Sequence, residues 1–92
     1  MINERYKKEL IEVILTIKNT KVLAKFFEEL LTPREFKDIT KRWQTVKQLH
    51  KKIPQRQISK NLRVSISKIT RGSRVLQSEN SIFKKILKNL KN

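Results

Sequence analysis

The chain has 92 residues, 37% of them hydrophobic, with one Gly, two Pro and no Cys. It carries 23 Lys plus Arg against 8 Asp plus Glu, a formal net charge of +15 with a pI of about 10.6. The absence of Cys excludes disulfides and thiolate metal sites. No apolar run approaches the roughly 18 residues of a membrane span, and the opening MINERYKKEL lacks the apolar stretch of a signal peptide, so a cytoplasmic location is expected. A single domain is expected over residues 1–92. One of this size buries only about 60–65% of its unfolded surface, which makes self-association around a shared core plausible.

In chain order, residues 4 to 18 place Tyr6, Leu10, Val13, Ile14 and Ile17 on one face at helical spacing, and this face is expected to be core. After the polar break Lys18-Asn19-Thr20, the apolar residues Leu23, Phe26, Phe27 and Leu30 stripe a second helix running to about Leu31. The third helix has the clearest start signal. Thr32-Pro33-Arg34-Glu35 is a capping box with Pro where no amide is needed, and Leu31 and Phe36 are spaced as a hydrophobic staple. Phe36, Ile39, Trp43, Val46 and Leu49 continue its apolar face to about His50, leaving Lys41, Arg42 and Lys47 off it. Trp43 at this register is read as core rather than as a stacking platform for bases. His50, the lone His, is read as part of the helix end and not as a metal ligand.

Residues 54 to 76 read as two short helices with a tight corner. Ile58 and Leu62 lie four apart, Val64 follows the corner, and Ile66, Ile69 and Gly72 recur at three-residue steps, forming one apolar seam. Ser59 is small enough for a close helix crossing, and Ser65 is placed to cap the second helix. The corner needs a left-handed residue, and Arg63 there would cost roughly 1 kcal/mol relative to Gly. The outward positions of the second helix are Ser67, Lys68, Thr70, Arg71 and Arg74, all able to donate to phosphates or base edges. The pattern fits a helix-turn-helix, and it also fits a plain helical hairpin with a solvated basic face. After the turn at Gln77–Ser81, residues Ile82, Phe83, Ile86, Leu87 and Leu90 make a last amphipathic helix with Lys84, Lys85, Lys88 and Lys91 outside. That helix is expected to dock on the first three, although a basic amphipathic helix also suits an anionic membrane.

The charge distribution favours the helix-turn-helix. Residues 1–31 hold six basic and five acidic side chains, whereas residues 32–92 hold seventeen and three. Between Asp38 and Glu79 there are eleven Lys or Arg and no carboxylate. A one-sign block repels itself unless a polyanion compensates it, so nucleic acid is the expected partner, with binding that weakens steeply in salt. An enzyme is disfavoured. One His, no Cys and three carboxylates after Leu31 leave no acid–base pair, no activated nucleophile and no metal cluster.

Leu31-Thr32-Pro33, Arg42, Gln55-Arg56 and above all Ile69-Thr70-Arg71-Gly72-Ser73 followed by Leu76 resemble the tryptophan repressor family of bacterial transcription regulators. The resemblance implies an all-α, six-helix fold, an intertwined homodimer with residues 1–50 and 79–92 as dimer core and residues 54–76 as the helix-turn-helix. It also implies a repressor that binds a palindromic operator, is associated with the nucleoid when on DNA, and takes L-tryptophan as corepressor. By position, Arg42 and Arg71 would sandwich the indole, Arg71 and Thr32 would hold its carboxylate, and Gly72 would let the ring approach the backbone. The family's DNA contacts fall on Gln55, Arg56, Ser59, Ile66, Ser67 and Thr70. Arg56 and Lys60 are the expected phosphate anchors, and Lys68 joins the DNA-facing set. The chain departs from the family at Lys68, where a Thr is expected near the ligand, and at Val75, where a Ser would receive the amino group. The connection from His50 to Pro54 is also one residue shorter. These changes are compatible with a different ligand, with weaker tryptophan binding, or with ligand-independent binding to nucleic acid.

Overall fold

The computed structural model describes residues 1–90, so Lys91, assigned above to the outer face of the last helix, lies outside the described residues. Six helices follow in order: α1 (Glu4–Thr16), α2 (Thr20–Leu30), α3 (Pro33–His50), α4 (Gln55–Leu62), α5 (Ile66–Gln77) and α6 (Ile82–Asn89). No strand occurs among the described residues.

Local chemistry sets the helix ends. Asn3 accepts from the amides of Arg5 and Tyr6, Asn19 from Val22, Ser65 from Lys68 and Ser81 from Lys84, each satisfying first-turn donors that have no partner inside the helix. The capping box closes as expected: the Glu35 amide donates to Thr32 Oγ1 at 3.1 Å and the Thr32 amide to Glu35 Oε1 at 2.8 Å. α1 stops two residues earlier than the apolar pattern suggests. Ile17 takes extended geometry as its C-cap while keeping the apolar register.

α3 ends in a paired return, with the Ile53 amide donating to Gln48 O and the Lys52 amide to Leu49 O. This arrangement requires a left-handed residue, and Lys52 supplies it at φ 63°. The helix-turn-helix corner makes the same demand of Arg63, which sits at φ 54°, ψ 51° as expected. Because a side chain there is strained, Arg63→Gly is expected to stabilise the fold by up to about 1 kcal/mol, read as a higher midpoint in urea with an unchanged m-value.

The chain forms two compact units, one of residues 1–36 and one from Lys37 onward, with α3 contributing its first turn to the former. In the first unit, Phe27 lies 5.8 Å from Phe26 and 5.9 Å from Phe36, ring centre to ring centre. Neither α1 nor α2 buries any residue fully, and Tyr6 is 74% exposed. The α1 stripe is therefore apolar as read, but it is not core within a single chain.

The second unit holds the core. Val46 of α3, Ile58 of α4 and Ile69 of α5 are 0% exposed, and Leu87 of α6 is buried at 6%. Trp43 packs within this unit, 6.0 Å from Phe83 of α6, in agreement with its reading as a packing residue. Two expectations for apolar faces are corrected. Ile39 and Ile66 are exposed, the latter 48%, because Ile66 is the first residue after the Ser65 cap and points away from the seam that Ile69 enters. On α6, Phe83 and Leu87 face inward while Ile82, Ile86 and Leu90 stay exposed.

Candidate nucleic-acid interface and the cavity behind it

α4 presents α5 through a small set of polar links laid over the apolar seam. Ser59 Oγ donates to the Val64 carbonyl at 2.8 Å, tying α4 to the corner. Gln57 donates to Asn61 at 2.8 Å and Asn61 donates to Gln48 of α3 at 3.1 Å, so α4 is bridged back to α3. Thr70 Oγ1 donates to Gln55 Oε1 at 3.3 Å, joining the middle of α5 to the start of α4.

These links decide how the DNA-contact candidates are presented. Arg56, Lys60, Ile66, Ser67 and Lys68 are exposed, while Gln55 and Thr70 are half-buried and fixed by their mutual bond. Ser59 is half-buried with its hydroxyl turned into the corner, which makes it a support for the turn. The outer side of the first turn of α5 is thus open, and it combines one apolar, one hydroxyl and one cationic side chain, matching a groove that offers thymine methyls, base acceptors and phosphates.

On the inner side of the same turn lies a cavity of about 340 Å³, within the usual range for small-molecule sites. One wall is α3, with Asp38, Lys41, Arg42 and Thr45 at i, i+3, i+4 and i+7. The other is α5, with Lys68, Arg71, Gly72 and Val75, and Arg63 and Phe83 complete the lining. Arg42, Arg71 and Gly72 were singled out from the sequence. Thr32 belongs to the first unit, where its hydroxyl caps α3, and it is not part of this lining. The sequence assigns Asp38, Lys41 and Arg63 to no ligand site, although the helical spacing of the α3 residues is a legible sign of a second, polar face.

Lys68 belongs to both faces, since its side chain is exposed on the first turn of α5 and lines the cavity. Gly72 lies close to α3, but packing does not demand a glycine there. A Cβ built there would stand 3.4 Å from Leu49 Cδ1, 3.8 Å from Thr45 Cγ2 and 3.9 Å from Val46 Cγ2. Those are the ends of side chains at contact distances that α3 can accommodate, and Gly72 does not have positive φ. Gly72→Ala is therefore expected to fold normally, gaining up to about 1 kcal/mol of helix propensity, while narrowing the cavity floor formed by Thr45 and Val46. A thermal melt at or above that of the parent is the expected result.

The family model described as "Trp repressor protein" matches residues 6–91, which takes in most of α1 and all of α2 to α6. The chain belongs to the Trp repressor family. A Trp operon repressor homolog from Chlamydia caviae is 35% identical over 89 residues, covering 96% of this chain and 88% of that protein. A second, from Mannheimia succiniciproducens, is 55% identical over 49 residues, covering 52% of this chain and 48% of that protein. No solved structure matches with comparable significance. Membership in the Trp repressor family makes the chain a repressor-type regulator with the all-α fold described above. Among the described residues no helix is long and apolar enough to cross a membrane, and no group of three or more His, Asp or Glu is placed to hold a metal.

Proposed function

We propose that the chain is a dimeric, sequence-specific DNA-binding repressor, with α5 reading base edges and a small indole-type effector such as L-tryptophan bound in the cavity between α3 and α5. The observation that carries this reading is the double role of the first turn of α5. One side, with Ile66, Ser67 and Lys68, is open to solvent, and the other side forms the cavity wall. A ligand held by Arg42 and Arg71 against Gly72 would set the angle at which that turn is offered, because guanidinium planes stack on aromatic faces and pair with carboxylates.

The dimer is supported by the apolar faces left open on α1 and α6, including Tyr6, Leu10, Val13, Ile82, Ile86 and Leu90. A second copy offers matching faces, and two-fold symmetry brings two α5 helices to half-sites of a palindrome spaced about 34–36 Å, or a multiple of it. Arg56 and Lys60 serve as phosphate anchors. Ile66, Ser67 and Thr70, with Gln55 behind Thr70, serve base recognition.

The test is fluorescence anisotropy with palindromes of this spacing, scrambled duplexes and single strands, with and without L-tryptophan. Preference for one palindrome supports the reading, and equal affinity for palindromes and scrambled duplex across salt concentrations ends it. Thr70→Ala is expected to narrow the gap between the preferred and scrambled duplexes by about 1–3 kcal/mol while leaving scrambled binding unchanged. A second reading, ligand-independent coating of nucleic acid, is favoured by the net charge of +15 and by Lys68 and Val75 in the cavity wall. Its mark is equal binding to every sequence and no response to tryptophan.

A further inference from the structure

The cavity is lopsided in charge. Lys41, Arg42, Arg63, Lys68 and Arg71 contribute five cations to its lining, and Asp38 contributes the one carboxylate. Such a wall suits the carboxylate of an amino acid and opposes its ammonium group. Val75 offers that group no acceptor, and Lys68 repels it. Asp38 nevertheless stands without an ion pair: among the described residues the one pair within 4 Å joins Lys7 to Glu4, on α1. Lys41 and Arg42 lie three and four residues further along α3, on the same face, yet neither closes to within 4 Å of the Asp38 carboxylate, which remains half-buried on the cavity wall.

We propose that Asp38 is the specificity-determining residue of the cavity, accepting the ammonium group of a zwitterionic aromatic amino acid whose carboxylate lies between Arg42 and Arg71. This rests on the effector-binding reading above. Asp38 supplies the negative charge that the α5 wall lacks, so the cavity distinguishes an amino acid from the corresponding acid without an amine. No arrangement of the five cations alone makes that distinction in the same direction, because they favour the acid.

The experiment is calorimetric titration of the full chain with L-tryptophan and with indole-3-propionate, which keeps the ring and carboxylate and lacks the ammonium group. The parent protein, Asp38→Asn and Asp38→Glu are compared after thermal melts establish that each is folded. The parent is expected to bind tryptophan the more tightly. Asp38→Asn is expected to lose on the order of tenfold to a hundredfold in tryptophan affinity and to hold indole-3-propionate as well as before or better, and Asp38→Glu to recover part of the loss. Equal weakening for both ligands, as a merely structural role would produce, overturns the proposal, as does tryptophan binding indifferent to Asp38→Asn. A parent that prefers indole-3-propionate overturns the role of Asp38 and leaves the effector-binding reading standing. A parent that binds neither ligand removes both.

Discussion

Ile58→Ala is expected to lower the stability of the fold by about 2–5 kcal/mol, the range for emptying a fully buried aliphatic site. In a domain of this size each kcal/mol moves the melting midpoint by about 4–8 °C, so a loss of about 8 °C or more is expected. The size of the effect follows from how few residues carry the core. Only Val46, Ile58, Ile69 and Leu87 are buried hydrophobics among the described residues, and Ile58 lies on α4, which packs against α5. Ile69→Ala belongs to the same class. The informative control is Ile66→Ala, the same chemical change at a residue 48% exposed. It is expected to cost well under 1 kcal/mol and to alter DNA recognition. Equal destabilisation by Ile58→Ala and Ile66→Ala in chemical denaturation would show that the core is not where the burial places it.

The second large effect is on DNA affinity. Raising monovalent salt from 50 to 200 mM is expected to weaken binding to duplex DNA by on the order of a thousandfold. Arg56, Lys60 and Lys68 are exposed on the helix-turn-helix, giving about six phosphate contacts for a dimer, and each contact contributes about 0.9 to the slope of log affinity against log salt. Arg56→Ala is expected to reduce that slope by about one unit per protomer and to weaken all sequences alike. This separates it from Thr70→Ala, which acts on the choice of sequence. A slope unaffected by Arg56→Ala would remove that side chain from the phosphate contacts.

The amino-acid sequence by itself determined the helices, their caps and the family. Asn3, Asn19, Ser65 and Ser81 sit in register with the helices they cap, and Thr32 and Glu35 close the box that their spacing announces. The strained corner at Arg63 was legible for the same reason, since a turn of fixed length between two helices demands one left-handed residue. Such features are local: each depends on side chains and amides within about four residues, which the order of residues specifies directly.

Tertiary structure decided which apolar faces are core and which side chains share the cavity. The stripe of α1 and that of the second unit look alike by periodicity, yet the former stays open and the latter supplies Val46, Ile58 and Ile69. Periodicity specifies the direction of a face but not whether a neighbour covers it. Asp38 illustrates the same limit, because nothing within α3 reveals that α5, some thirty residues later, brings Lys68 and Arg71 to the cavity it lines. Burial and charge complementarity arise between elements distant in sequence, so they come into being only when the helices pack.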